Sequence, residues 1–135
     1  MKRPSVLDSF ALLTYLEKES DYQKVKDIFA AVQRGQATVF MNEINIGEVY
    51  YILARERSPD GAEYFLNDIL PALGITAVAN ALADVIDAAK LKAQFPIAYA
   101  DAFAVTTALK YDATLVTGDP DFKHVERMVD IQWLV

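Results

Sequence analysis

The sequence has no cysteine, one histidine and five glycines in its 135 residues. The lack of cysteine excludes a disulfide framework and any thiolate-bound metal, and it suits a reducing compartment such as the cytoplasm. The single histidine, His124, argues against histidine-rich zinc sites and against catalytic dyads that pair a nucleophile with histidine. The glycines are scattered at turns, so the sequence has no glycine-rich loop of the kind that cradles phosphates.

Long apolar runs are also missing, and no stretch is long enough to span a membrane. The opening residues MKRPSVLDSF have the basic start of a secretion signal, but Asp8 interrupts the apolar run and no small-residue cleavage site follows. The formal net charge of −6 argues against broad contact with nucleic-acid phosphates and favours divalent cations or a basic partner. The length fits one domain over residues 1–135.

Strand and helix patterns alternate along the chain. Short apolar runs bounded by turn residues predict strands at 5–7, 38–40, 75–78, 114–117 and 131–135. Apolar residues at helical spacing predict helices between the strands, with Ser9, Asn42 and Asn80 as N-caps. Strands separated by helices indicate a mainly parallel sheet that is covered by helices on both faces.

Four acids stand at positions where an ordinary surface carboxylate is not expected. Asp8 and Asp119 each follow a predicted strand, and ligands of open parallel sheets bind beyond the carboxyl ends of the strands. Glu48 has mainly apolar or aromatic neighbours three and four residues away, and Asp101 lies in a helix that is apolar nearly all round. A buried carboxylate is costly unless it is paired, bound to a metal or open to a cleft.

Each acid also has a purely structural interpretation. Asp8 could cap the first helix, Glu48 could lie on an exposed helix edge, and Asp101 could interact with a helix dipole. Asp119 and Asp121 could be turn residues, with Asp121 capping the short turn FKHV. Taken together, these interpretations leave several poorly solvated acids without a common purpose. A hard divalent ion such as Mg²⁺ or Mn²⁺, which prefers carboxylate oxygens, gives them one.

Three segments carry a resemblance to a known family over essentially the whole chain. VLDSFALLTYL resembles the opening strand, first acid and first helix of PIN-domain ribonucleases, and within them of the VapC-like toxins. NEINIGEVYYIL resembles their helix with the second acid, and YADAFAVTTALKYDATLVTGDPDF resembles their buried helical acid, strand and Thr-x-Asp turn. Phe10 departs from the small polar residue that the family often has at that position.

The resemblance implies roles for seven residues. The metal-binding and catalytic acids would be Asp8, Glu48, Asp101 and Asp119. Ser9 and Thr117 would be supporting hydroxyls, and Asp121 an auxiliary acid.

The resemblance also implies a fold, an activity and partners. The fold would be a three-layer α/β/α arrangement with a mainly parallel, five-stranded sheet. The activity would be Mg²⁺- or Mn²⁺-dependent hydrolysis of RNA in the cytoplasm by a toxin that forms a homodimer and binds a cognate antitoxin. Local phosphate contacts could come from Lys2, Arg3, Arg55, Arg57, Lys90, Lys92, Lys123 and Arg127.

Other functions remain open from the sequence. The chain could be a housekeeping or structure-specific PIN nuclease, although a short chain without a fused domain favours the toxin. It could be a non-catalytic module that binds nucleic acid or protein, although four acids in register argue against a decayed site. A receiver-like domain that is phosphorylated on Asp would need a Lys at a strand end, and no predicted strand ends in one.

Overall fold

The computed structural model describes residues 3–134, which form a five-stranded, all-parallel sheet with helices on both faces. The strands are β1 (Ser5–Leu7), β2 (Val39–Asn42), β3 (Thr76–Val78), β4 (Thr114–Thr117) and β5 (Ile131–Trp133). Their order across the sheet is β3-β2-β1-β4-β5, so β1 and β4 lie side by side in its centre. The predicted fold class is thus confirmed.

Among residues 3–134, seven α-helices account for most of the chain outside the strands. They are α1 (Ser9–Leu16), α2 (Tyr22–Gln33), α3 (Glu43–Glu56), α4 (Pro59–Tyr64), α5 (Leu70–Ala72), α6 (Leu82–Gln94) and α7 (Tyr99–Lys110). A 3₁₀-helix, Pro120–Val125, follows β4. None of the described helices is long and apolar enough to cross a membrane.

Successive side chains of the central strands point to opposite faces of the sheet, so the core has two layers. Val6 and Leu115 point to the layer that α6 and α7 cover, where they join one cluster of buried side chains. Leu7 and Val116 point to the opposite layer, where they pack with residues of α1 to α4. Because successive strand residues face opposite sides, the fully apolar strands predicted from the sequence are what a sheet covered on both faces requires.

Two helix ends form as the sequence predicts. Asn42 caps α3, and its Oδ1 accepts a hydrogen bond of 2.9 Å from the backbone N–H of Ile44. Gly35 follows α2 with a φ of +70°, a left-handed conformation that favours glycine and ends the helix.

Two predicted N-caps are wrong. Ser9 is the first residue of α1, and the cap is Asp8, whose Oδ1 accepts from the N–H of Ala11 at 2.8 Å. Asn80 does not cap α6, because its amide pairs with Asn42 across the ends of β3 and β2. The Asp84 carboxylate instead accepts from the N–H of Ala81, the residue that precedes α6.

The segment between Ser58 and Gly74 is less regular than the single helix that the sequence predicts. A π-helical turn, Phe65–Ile69, separates α4 from the one-turn α5. Pro71 lies two residues beyond this turn and has no N–H to bond the carbonyl four residues earlier. The wider π turn places the break in hydrogen bonding just before the proline.

Candidate active site

Asp8 stands at the carboxyl end of β1 and is almost fully buried, with 1% of its surface exposed. One carboxylate oxygen caps α1, and the other accepts a hydrogen bond from the hydroxyl of Thr117. Thr117 is the last residue of β4, the strand beside β1. Both oxygens of Asp8 are therefore fixed by groups from neighbouring elements. The interpretation of Asp8 as a helix cap is correct, but it accounts for only one of the two oxygens.

Asp119 continues the same line of hydrogen bonds. Its backbone N–H donates to the Thr117 hydroxyl at 3.1 Å, and its Oδ1 accepts from the N–H of Asp121 at 2.9 Å. Asp119 thereby caps the 3₁₀-helix. The prediction that Asp121 caps this turn is wrong, because Asp121 is the second residue of the helix and its side chain is exposed.

Glu48 and Asp101 lie on two helices that meet beside the sheet. Asp101 is in the first turn of α7 and is 8% exposed, while Glu48 is half-buried in α3. Asn45 joins the two helices, since its amide nitrogen donates to the Glu48 carboxylate at 3.2 Å and to the carbonyl of Ala100 at 3.0 Å. Sequence reasoning missed Asn45, although its position one turn before Glu48 on the same helix face was a usable signal.

The acids influence one another through burial and charge. Burial is the main cause that raises the pKa of Asp8 to about 7, and the carboxylates of Asp101 and Asp119 add to it, while bonds from Thr117 and Ala11 act in the opposite direction. Burial likewise raises the pKa of Asp101 to about 7, with further contributions from Asp119, Glu48 and Asp121. The sequence-predicted acids thus lie close enough to repel one another.

Ser9 and Phe10 follow Asp8 in the first turn of α1. Ser9 is half-buried and Phe10 is 40% exposed. The ring of Phe10 lies against Gly118, where a Cβ atom would come within 2.4 Å of the ring. A larger residue at Gly118 would therefore displace the ring of Phe10 from its present position.

The donor chemistry at this edge of the sheet suits a hard divalent cation. Within residues 3–134, no three acidic or histidine side chains are arranged closely enough to form a complete metal cluster. Mg²⁺ does not need one, because proteins commonly hold it with one or two carboxylates while it keeps several waters. Asp8 and Asp101 also have no salt bridge to a Lys or Arg among these residues. The residues present therefore fit Mg²⁺ or Mn²⁺.

Of the basic residues proposed to contact phosphate, some lie far from the predicted acids and others follow them closely in the chain. Arg3 bonds to Asp112 at 3.0 Å and also to Asp130, and these two acids precede β4 and β5, so Arg3 lies at the opposite edge of the sheet. Lys123 is exposed in the 3₁₀-helix that follows Asp119. Lys2 lies outside the described residues.

A cavity of about 530 Å³ lies between α6 and α7. Its lining includes Asn42 and the two residues that it bonds to, Asn80 and Thr107, but none of the seven predicted site residues. These polar groups connect β2, the segment after β3 and α7, so their hydrogen bonds have a structural role.

Comparison with known proteins identifies a family. The model of the PIN domain family matches residues 5–128, a range that contains all seven predicted site residues. A search of curated proteins finds no match.

The fold is similar to solved structures at low sequence identity. DNA-bound VapBC from Salmonella typhimurium has a TM-score of 0.71 and 13% identity, over 99% of this chain and 100% of that chain. VapBC2 from Rickettsia felis, bound to a promoter DNA fragment, has a TM-score of 0.70 and 15% identity, over 95% and 96% of the two chains. VapC20 from Mycobacterium tuberculosis, a toxin that cleaves the sarcin–ricin loop, has a TM-score of 0.70 and 13% identity, over 90% and 94%.

The raised pKa values predict how the stability of the metal-free protein depends on pH. Asp8 and Asp101 bind a proton more tightly in the folded protein, with a pKa of about 7, than in the unfolded chain, where the reference value is 3.8. The folded state therefore binds more protons in this window, and the free energy of unfolding should fall as the pH rises from about 4 to about 7. Asp101→Asn should make this fall smaller.

Urea denaturation across that pH range, with a chelator present, measures the effect. Asp87→Asn is a matched control, because it removes one exposed acid on α6 with the same chemical change. An equal pH dependence in the wild type and in Asp101→Asn would contradict the electrostatic description of the site.

Proposed function

The chain belongs to the PIN domain family, and from that premise we propose that it is a Mg²⁺- or Mn²⁺-dependent endoribonuclease, the toxin of a toxin–antitoxin pair. The observation that carries the proposal is the pair of buried carboxylates, Asp8 and Asp101, whose pKa values are both raised to about 7. Neither forms a salt bridge within residues 3–134. Acids buried in this way are costly to ionise unless a cation offsets their charge.

The ion would lie among the four acids Asp8, Glu48, Asp101 and Asp119, bound directly by one or two of the carboxylates and by the others through its waters. When bound, a divalent ion lowers the pKa of a water and offsets negative charge on the attacked phosphate and the leaving oxygen. The acids would act on the RNA phosphate through the ion. Without a cation they would repel the phosphate, because both groups are negatively charged.

One hydroxyl and two backbone N–H groups would keep two of these acids in place. The Thr117 hydroxyl and the Ala11 N–H hold the two oxygens of Asp8, and the N–H of Asp121 holds Asp119. Each acid keeps further lone pairs for a ligand, because a carboxylate accepts about four hydrogen bonds. Ser9 and Asp121 are auxiliary residues in this proposal, at the start of α1 and in the exposed 3₁₀-helix.

RNA is the proposed substrate. VapC20, a toxin of similar fold, cleaves the sarcin–ricin loop, and the resemblance to PIN-domain ribonucleases implies RNA as the substrate. The net charge of −6 opposes RNA binding by the protein alone, so the cation at the site would also help to bind the substrate. The proposal includes a cytoplasmic location, where such a substrate is present.

The proposed partner is an antitoxin protein. Two of the similar structures are VapBC complexes bound to DNA, which supports this assignment. The acidic balance of the chain suits a partner that presents basic side chains, since complementary charge favours association.

Asp101→Asn tests the role of the site. The substitution keeps the size of the side chain but removes the charge that would hold the ion, so RNA cleavage should be abolished. Without metal, the melting temperature should be unchanged or higher, because mutual repulsion among the acids decreases. Mn²⁺ at one hundred times its dissociation constant should stabilise the wild type by about 2.7 kcal/mol, and the variant far less.

The measurements are cleavage of total RNA and thermal melts, each with and without Mn²⁺. Asp87→Asn serves as the control and should behave as the wild type in both. Cleavage by Asp101→Asn at the wild-type rate would show that Asp101 is structural and would remove the main support for the proposed site.

We also propose that the protein forms a homodimer. Ile44 and Tyr51 lie two helical turns apart on α3 and are 42% and 46% exposed, and Tyr64 at the end of the neighbouring α4 is 59% exposed. Ile44 and Tyr51 share one face of α3, and exposed apolar side chains on a common face often mark an interface.

Light scattering tests the dimer. The wild type should have the mass of a dimer at micromolar concentration, and Tyr51→Glu should shift it towards the monomer by placing a charge in the interface. Leu82→Glu is the control, because Leu82 is 75% exposed on α6, which packs into the core layer opposite to that of α3. A wild-type mass equal to that of one chain would contradict the proposal.

A further inference from the structure

Asn45 has the one buried side-chain polar atom that lacks a hydrogen-bond partner within the described part of the chain. The side chain is 0% exposed, and the atom without a partner is its Oδ1. Leaving a buried acceptor unpaired costs about 1–3 kcal/mol. This cost calls for a physical reason.

The contacts of the amide nitrogen fix the orientation of the group. Nδ2 donates to the Glu48 carboxylate and to the carbonyl of Ala100, at 3.2 and 3.0 Å. Both partners are acceptors, so turning the amide over would place its oxygen against two other oxygens. The two N–H groups are thus fully used, and the unpaired oxygen is a consequence of that use.

Asn42 shows how a structural amide in the same region differs. It is 1% exposed and makes four hydrogen bonds. Its oxygen accepts from Ile44 and Asn80, and its nitrogen donates to Asn80 and Thr107. Asn42 therefore stabilises the fold with every polar atom satisfied, whereas Asn45 leaves one unsatisfied in order to contact Glu48 and Ala100.

Those two contacts join the helices that carry two of the proposed metal ligands. Glu48 is one turn further along α3, and Ala100 directly precedes Asp101 in the first turn of α7. The backbone of Ala100 is also bonded within its own helix, so it does not need Asn45 to satisfy its carbonyl. The effect of the amide is to fix the Glu48 carboxylate relative to the start of α7.

We propose that Asn45 is a positioning residue: its amide holds the Glu48 carboxylate in the orientation and at the distance from Asp101 that cation binding requires. The inference rests on the proposed function, because it assigns a purpose to Asn45 only if the acids hold an ion. Groups that orient metal ligands typically contribute about 10–100-fold to metal affinity or activity.

Asn45→Leu is the test variant, since leucine has the same branching but no polar atom. It removes the unpaired oxygen, so the urea midpoint of the metal-free protein should be equal to or higher than that of the wild type. Mn²⁺ affinity, measured by titration calorimetry without RNA, should fall by about 10–100-fold. In RNA cleavage at saturating Mn²⁺ the loss should appear in kcat, with KM for RNA nearly unchanged, because the ion is then present and Asn45 lies beneath the surface.

Asn42→Leu is the matched control for loss of a buried amide. It removes four hydrogen bonds and a helix cap, so it should lower the urea midpoint. If Asn45→Leu lowers the midpoint as much as Asn42→Leu does, Asn45 is structural and the proposal is wrong.

A double-mutant cycle with Glu48→Gln tests whether Asn45 acts through Glu48. If it does, Asn45→Leu should have little further effect on Mn²⁺ affinity once the Glu48 carboxylate is gone, so the two effects should not add. Full additivity would overturn the proposal. So would an affinity and a kcat of Asn45→Leu within about threefold of the wild type, well short of the expected loss.

The wild-type measurements separate this inference from the proposed function. If the wild type neither binds Mn²⁺ nor cleaves RNA, the proposed function fails and the role of Asn45 fails with it. If the wild type does both and Asn45→Leu equals it, the proposed function stands and only the inference about Asn45 is wrong.

Discussion

The hydrogen bond from the Thr117 hydroxyl to the Asp8 carboxylate joins the ends of the two central strands. It places a buried acid at the carboxyl edge of the sheet and positions the turn that carries Asp119. The negative charges of Asp101 and Asp119 raise the pKa of Asp8, and those of Asp119, Glu48 and Asp121 raise the pKa of Asp101. The geometry of the candidate site therefore depends on the register of β1 and β4, which is set by the core beneath them.

Crowded carboxylates impose a cost that the rest of the fold must offset. Burial and mutual repulsion raise the pKa of Asp8 and Asp101, so ionising them near neutral pH destabilises the folded chain. Asn45 adds an unpaired buried oxygen, and its amide nitrogen contacts the carboxylate of Glu48. Such concentrated local costs are typical of functional sites, where stability is sacrificed for a specific arrangement of charge.

The sequence predicted the features that depend on local patterns. The alternation of strands and helices, the strand Thr114–Thr117 and the cap at Asn42 all form as expected. The errors concern hydrogen bonds between residues far apart in the sequence, or helix caps that lie one or two residues from the predicted position. Asn80 pairs with Asn42, 38 residues away, and Asp119 takes the capping role predicted for Asp121. Of the two caps considered for the first helix, Asp8 forms and Ser9 does not. A cap depends on which residue leaves the helical conformation, and neighbouring polar residues compete for that position.

The central claim is that the acids at the carboxyl edge of the sheet bind a divalent cation. Diffraction at the manganese absorption edge, from crystals grown with Mn²⁺, tests it most directly. The account predicts an anomalous peak in contact with the carboxylates of Asp8 and of Asp101 or Asp119. A chain that binds Mn²⁺ only elsewhere, or shows no peak among these acids, would contradict it.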